Sequence, residues 1–242
     1  MLGSIALAAA PFATPQEPQR ASRLKNAIQV LETHYAAART LQADFLETYS
    51  DSGRETRIES GKVYFSRPGR MRWEYQAPEE KLFVSDGKTL WFYVPSDRTA
   101  TREPVKHSDD WRTPLALLTG KVNLSRLCSR VEFAEPAFNA AGNAILSCWP
   151  RGEKAPSAGH SSSGDPMTGS AGGFTKVFIE LNPTSGQLSD VRVIEPGDIA
   201  LDFRFGAWQE NLPLSDSLFD FLPPKGVAIV PWLDPNESGS AP

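Results

Sequence analysis

The chain has few His and Cys residues, two types that commonly build catalytic and metal sites. Its 242 residues include only three His and two Cys. The His residues lie far apart in the sequence, and the two Cys do not form a C-x-x-C pair. Neither arrangement has the close ligand spacing of a zinc site. No G-x-S-x-G, P-loop or dinucleotide-binding glycine pattern is present either. We therefore predict no metal, no cofactor and no catalytic residue, and we expect that the protein is not an enzyme.

The chain also has little net charge and no long apolar run. Its formal net charge is −4 and its pI is about 5.5, which gives no support for nucleic-acid binding. Residues 1–13 are apolar and small, like the hydrophobic core and end of a secretory signal, but they have no basic start. A disordered apolar tail is the competing interpretation. The run is too short for a membrane anchor, so we assign residues 1–19 to a signal-peptide remnant and linker.

The two cysteines, Cys128 and Cys148, both lie well after this segment. The sequence therefore predicts that the mature N-terminus carries no lipid on cysteine. Two Cys in an exported chain are typical of one disulfide. The segments around them, 127–133 and 144–149, both have the pattern of strands and can pair as a hairpin. Two unrelated buried thiols are the alternative.

What the chain does have is turn-forming residues, with 20 Pro and 18 Gly, and many short alternating segments between them. These predict about ten or eleven strands in an antiparallel meander, a sheet wide enough to curl. The predicted fold is mainly β with a helical lid (α+β), an incomplete antiparallel β-barrel. We assign it to one domain, residues 20–235, with a flexible Gly- and Ser-rich loop at 152–173 and a tail at 236–242.

Two helical segments accompany the strands. Ser22 is a candidate N-cap for a helix in which Leu24, Ile28, Leu31 and Tyr35 share one face. Residues 109–118 interrupt the strand pattern and are predicted to form one or two short helices. These helices are expected to close the open side of the barrel.

The segment 67–93 carries the most specific pattern of the chain. Because alternate side chains of a strand point to opposite faces, Met71, Trp73 and Tyr75 share one aromatic face. Arg70 and Arg72 lie on the other face, which we interpret as solvated. Arg67 precedes a proline, which favours an extended backbone, and its guanidinium group can bind carbonyl groups of a neighbouring helix.

Several motifs resemble those of the LolA family of periplasmic carriers of outer-membrane lipoproteins. They are the Arg67-Pro68 pair followed by Trp73, the run 84–93 (VSDGKTLWFY), the helix at 114–118 and the ending at 219–227. The resemblance covers roughly residues 22–232. It implies an incomplete β-barrel with an α-helical lid over a hydrophobic cavity. The loop at 152–173 is longer than the family pattern, and the Cys pair is not part of that pattern.

The resemblance also implies a function and a site. A monomeric periplasmic carrier without a stable membrane anchor would take triacylated lipoproteins from an inner-membrane ABC-type releasing complex. It would shield their acyl chains and deliver them to an outer-membrane receptor. Arg67 would act as a latch that hydrogen-bonds the closed lid. The cavity would be lined by seven apolar residues: Phe45, Met71, Trp73, Leu90, Phe92, Leu115 and Leu118.

Two other classes of function stay open at this point. A lipoprotein-sensing regulatory protein with the same half-barrel would normally carry an additional C-terminal domain. A barrel hydrolase acting on lipid or glycan would need clustered polar groups inside the cavity, where the alternation predicts mainly apolar side chains.

Overall fold

The computed structural model describes residues 16–105, 123–151 and 175–231. The predicted lid helices at 109–118, with Leu115 and Leu118, lie outside the described residues. The same holds for the predicted loop at 152–173, for residues 1–15 of the predicted signal and linker, and for the tail.

Helix α1 spans Gln16–Ala37. It begins six residues earlier than the predicted cap at Ser22, so the end of the predicted linker is helical. Glu17 lies in the first turn, where a negative charge is favourable. Pro18 is tolerated there because the first backbone N–H groups of a helix have no intrahelical partner. Ala27, Leu31 and Tyr35 of α1 are buried against the sheet.

The described strands form one twelve-stranded sheet in the order β12-β6-β5-β4-β3-β2-β1-β11-β10-β9-β8-β7. Neighbouring strands are antiparallel except for β12 and β6, which are parallel. The two end strands, β12 and β7, do not pair with each other, so this part of the chain forms an open sheet, as expected for an incomplete barrel. The strand bounds are β1 Thr40–Asp51, β2 Arg54–Ser66, β3 Arg70–Ala77, β4 Lys81–Ser85, β5 Thr89–Val94, β6 Thr99–Pro104, β7 Cys128–Phe138, β8 Ala144–Pro150, β9 Lys176–Leu181, β10 Leu188–Glu195, β11 Ile199–Glu210 and β12 Ala228–Pro231.

The fold class is confirmed, and two local predictions are wrong. The strand count exceeds the predicted ten or eleven because β12 is a four-residue segment that pairs with a strand more than a hundred residues earlier. Leu127, where a strand is predicted to begin, is instead the last residue of a short helix, α2, which spans Leu124–Leu127. Asn123 caps it: its side-chain oxygen accepts a hydrogen bond from the backbone N–H of Arg126 at 3.0 Å.

The sheet has an inner face that carries the hydrophobic core and packs against α1, and an outer face on its other side. Alternate residues of each strand supply the inner face, as shown by the burial of Leu41, Ala43 and Phe45 in β1. Part of the outer face is covered by residues 212–227, which include a 3-10 helix at Asp216–Phe219. Phe221 from this segment packs on Trp91 and Tyr93, with ring centroids 5.6 and 5.4 Å apart.

One glycine permits the docking of α1. Gly186 has a φ of +80° and lies against the backbone of the helix, so that an added Cβ would meet the Val30 carbonyl oxygen at 2.6 Å. Its backbone N–H donates to the Asn182 carbonyl at 2.8 Å. No other residue type combines the left-handed conformation with this close approach without displacing the helix.

Candidate functional site

The inner face carries a continuous cluster of aromatic side chains at its centre. The Trp73 ring contacts Phe45 at a centroid distance of 4.9 Å and Phe203 at 5.6 Å, both with edge-to-face geometry. Phe45 also contacts Tyr75 at 4.9 Å. Because Trp73 lies on β3, Phe45 on β1 and Phe203 on β11, the cluster joins the two halves of the sheet. We call the set Phe45, Phe65, Trp73, Tyr75, Phe203 and Phe205 the inner aromatic cluster.

The structure brings five of the seven predicted cavity residues together on this face. Phe45 and Trp73 belong to the inner aromatic cluster. Met71 on β3, together with Leu90 and Phe92 on β5, extends the same apolar surface, and all five are buried. Leu115 and Leu118 lie outside the described residues. In this structure the rings of the cluster are in mutual contact, so the face is a packed apolar wall.

The predicted latch, Arg67, lies at the end of the inner face that α1 covers. One of its guanidinium nitrogens, Nη1, donates to the Tyr35 carbonyl in the last turns of α1. A cation at the C-terminal end of a helix interacts favourably with its free carbonyl groups. Partial burial lowers the pKa of Arg67. Its Nε and Nη2 atoms are buried and have no hydrogen-bond partner within the described part of the chain.

The same end of α1 is held by further polar contacts. The Tyr35 hydroxyl accepts from the Leu188 backbone N–H at 3.0 Å, and burial raises the pKa of that hydroxyl. The Trp208 ring packs against the Tyr35 ring at a centroid distance of 6.1 Å, and its indole nitrogen donates to the Leu188 carbonyl at 2.8 Å. His34 Nε2 lies 2.8 Å from Glu210 Oε1. Arg67 is therefore one of several attachments between α1 and the sheet.

The opposite end of the inner face, toward the β1–β2 turn, is polar. We call the set Glu47, Arg57, Glu59, Tyr75 and Lys81 the inner polar cluster. The Tyr75 hydroxyl donates to Glu47 Oε2 at 2.7 Å, and Lys81 donates to Glu59 Oε1 at 2.6 Å. Arg57 Nε lies 3.5 Å from Glu59 Oε2. Carboxylates and cations thus meet at the edge of the aromatic wall.

Glu47 is the most perturbed carboxyl group of this cluster. Its desolvation by burial raises its pKa to about 7, an effect that the Tyr75 hydrogen bond reduces and the facing Glu59 strengthens. Its second oxygen, Oε1, is buried and has no hydrogen-bond partner within the described residues. Burial also raises the pKa of Tyr75 well above its usual value.

The sequence interpretation does not contain this cluster. It does not name Glu47, although Glu47 is two residues after Phe45 and therefore shares its face. This spacing of two residues is the feature of the sequence that could have identified Glu47 as an inner-face residue. Arg70 and Arg72 lie on the outer face, as predicted, but are only partly solvated, since Arg70 pairs with Asp216 and Arg72 donates to the Leu218 carbonyl at 3.1 Å. Both arginines hold the outer segment in place.

Two other features lie near α1 and the strands β7 and β8. A groove of about 410 Å³ lies between the start of α1 and the β7–β8 hairpin, lined by residues that include Asn26, Phe133 and Phe138. Cys128 and Cys148 form a disulfide, with their Cα atoms 5.5 Å apart. It joins adjacent strands β7 and β8 in the predicted hairpin.

Among the described residues, no group of three or more His, Cys, Asp or Glu side chains is placed to hold a metal ion. Among the same residues, no helix has both the length and the apolar character needed to cross a membrane.

Comparison with known proteins decides the family. The family model described as outer membrane lipoprotein carrier protein LolA matches residues 36–139. An outer-membrane lipoprotein carrier protein of Nitrosospira multiformis is 30% identical over 204 residues, which cover 83% of this chain and 86% of that protein. This chain belongs to the LolA family. A carrier of the same name from Coxiella burnetii is 28% identical over 193 residues, covering 79% of this chain and 81% of the relative.

The fold agrees with a solved structure of much lower sequence identity. An uncharacterized conserved protein from Thermus thermophilus superposes with a TM-score of 0.50 at 12% identity, covering 86% of this chain and 98% of that one.

LolA family carriers are chaperones without enzymatic activity, so membership of this family also settles that this chain is not an enzyme. Its general role is that of a lipoprotein carrier.

Proposed function

We propose that this protein is a periplasmic carrier that shields the acyl chains of lipoproteins on its inner face between two membranes. It accepts triacylated lipoproteins from an inner-membrane ABC-type releasing complex and delivers them to an outer-membrane receptor. The observation that carries the proposal is the inner aromatic cluster, which presents a single apolar wall from both halves of the sheet. The names of the curated relatives, outer-membrane lipoprotein carrier proteins, support the same role.

The energetics of acyl chains require such a wall. Transfer of one methylene group from water to an apolar surface gains about 0.8 kcal/mol, so several long chains cannot cross an aqueous compartment uncovered. The same gain opposes release. In the empty protein, Trp73, Phe45 and Phe203 pack against one another, and these contacts are given up when acyl chains enter. Re-forming them on release offsets part of the acyl burial.

In this proposal Phe45, Met71, Trp73, Leu90 and Phe92 contact the acyl chains, and Leu115 and Leu118 cover them from the lid. Arg67 stabilises the empty, closed form through its hydrogen bond to the Tyr35 carbonyl. Because Tyr35 belongs to α1, the latch joins Arg67 to that helix. In this proposal α1 is therefore one of the elements that move when cargo enters.

The direct test uses a synthetic triacylated lipopeptide and the same peptide without acyl chains. We expect the acylated peptide to change the intrinsic fluorescence of the wild-type protein and the unacylated peptide to leave it unchanged. Trp73→Phe should lose most of that change, whereas Trp91→Phe, on the outer face, should keep it. Saturable binding without any Trp73-dependent signal would contradict the assigned wall.

The cellular test is depletion of the protein in its source bacterium. We expect lipoproteins to accumulate at the inner membrane, and lipoproteins to be detected by mass spectrometry in the purified protein. Normal distribution of lipoproteins after depletion would overturn the proposed delivery role.

A further inference from the structure

Two buried polar atoms interrupt the apolar wall of the inner face. Glu47 Oε1 and Trp73 Nε1 have no hydrogen-bond partner within the described part of the chain. Both residues are only 2% exposed. Burying a polar atom without a partner costs free energy. Such atoms in a binding face are satisfied when a ligand supplies the missing donor or acceptor.

The two residues belong to one continuous set of contacts. Trp73 packs on Phe45 at 4.9 Å, Phe45 packs on Tyr75 at 4.9 Å, and the Tyr75 hydroxyl donates to Glu47 at 2.7 Å. The Tyr75 hydroxyl donates its hydrogen bond to Oε2 and thereby orients the carboxyl group. The other oxygen, Oε1, has no hydrogen-bond partner in the described residues. One group thus offers an acceptor and the other a donor, beside the rings that form the wall.

We propose that Glu47 and Trp73 form a polar subsite for the amide bond that joins an acyl chain to a peptide. Glu47 Oε1 accepts the amide N–H, Trp73 Nε1 donates to the amide carbonyl, and the attached chain lies on the inner aromatic cluster. The inference rests on the proposed function and adds the chemical class recognised next to the chain, an N-acylated peptide terminus.

The charges around Glu47 fit this ligand. Glu59 lies directly opposite Glu47 across β1 and β2, and its oxygens contact Lys81 at 2.6 Å and Arg57 at 3.5 Å. Arg57 and Lys81 also act on the Glu47 carboxyl group through space, but its Oε1 atom has no hydrogen-bond partner in the described residues. A neutral N–H donor satisfies that oxygen without adding an unmatched charge to a buried site.

The experiment compares two probes that differ at one atom. One is an N-palmitoyl peptide with a free amide N–H, and the other is the same peptide N-methylated at that amide. Binding to the full chain is measured by calorimetry. At pH 9, where the Glu47 carboxyl group is ionised, we expect wild type to bind the N–H probe about tenfold more tightly, as for a hydrogen bond to a charged group. Glu47→Met should abolish the difference while keeping affinity for the methylated probe.

Tyr75→Phe is the second variant, because it leaves Glu47 in place without the hydroxyl that orients it. We expect a smaller preference for the N–H probe. Asp44→Asn, exposed on the outer side of the same strand, is the matched control and should keep the wild-type preference. Equal binding of both probes by wild type, or a preference that persists in Glu47→Met, would overturn the subsite. If neither probe binds, the proposed carrier function is overturned together with the subsite.

Discussion

Glu47 gives the clearest prediction for a single residue, because its carboxyl group is buried and its pKa is raised to about 7. In the unfolded chain it titrates near 4.5. The protonated group therefore favours folding below pH 4.5, and this contribution is lost as the pH rises through 7. Glu47→Gln keeps an acceptor for the Tyr75 hydroxyl but does not titrate. We expect the variant to gain about 3 kcal/mol relative to wild type between pH 4 and 9, measured by urea unfolding.

The titratable and charged groups that face Glu47 are Tyr75, Glu59, Arg57 and Lys81. All four are unchanged in the Glu47→Gln variant. Asp190 also has a raised pKa, about 8, caused by burial and by Asp202, but it contributes equally to wild type and variant. Tyr75→Phe removes the bond that lowers the Glu47 pKa, so the loss of stability should move to higher pH. A stability difference that does not change with pH would contradict the assignment.

Arg67 gives a prediction about release of cargo. Arg67→Leu removes the donor to the Tyr35 carbonyl, so the closed form loses a charge-assisted hydrogen bond and competes less well with bound acyl chains. We expect cargo to be accepted but transferred to acceptor membranes about tenfold more slowly. Transfer of a fluorescent acylated peptide measures this. Arg70→Leu, which affects the outer segment only, should transfer normally, and normal transfer by Arg67→Leu would remove the latch role.

The position of helix α1 depends on the close approach of its backbone to Gly186. Substitutions at Gly186 and, as a control, at Gly142 test this contact. Gly186→Ala places a methyl group 2.6 Å from the Val30 carbonyl oxygen, whereas Gly142→Ala meets nothing within 4 Å. Both residues have φ near +80°, so the backbone cost of about 1–2 kcal/mol is common to both. We expect Gly186→Ala to be destabilised by about 1–3 kcal/mol more, in urea unfolding, because α1 must shift. Equal stabilities would mean that α1 is not fixed by this contact.

The elements differ in how well the sequence predicts them. Alternation over five or more residues identifies most strands, since burial of one face leaves a period of two in the sequence. The four-residue β12 leaves no such period, and its pairing with β6 is set by the path of the chain. Pro18 is predicted as part of a linker, although the first turn of a helix tolerates proline. The contact of Glu47 with Tyr75 depends on register through three strands and on the bulge at Ser60 and Gly61.

Across the whole molecule, the inner aromatic cluster packs side chains of the first half of the sheet against those of the second, in addition to the pairing of β1 with β11. Trp73 on β3 and Phe203 on β11 contact each other at 5.6 Å although two strands, β1 and β2, separate them in the sheet. Such a contact requires the sheet to curl around the cluster. If the cluster acts as a unit, replacing both residues should cost less than the sum of the single replacements.

We expect a double-mutant cycle of Trp73→Leu and Phe203→Leu to give a coupling energy of about 1 kcal/mol in urea unfolding. The matched pair is Trp73→Leu with Phe221→Leu, because Phe221 packs on the outer face against Trp91 and Tyr93. That pair should be additive within about 0.5 kcal/mol. Saturating acylated peptide should weaken the Trp73–Phe203 coupling, since acyl chains replace the ring contact. Coupling of the same size with and without the peptide would mean that this contact is permanent core and takes no part in carrying cargo.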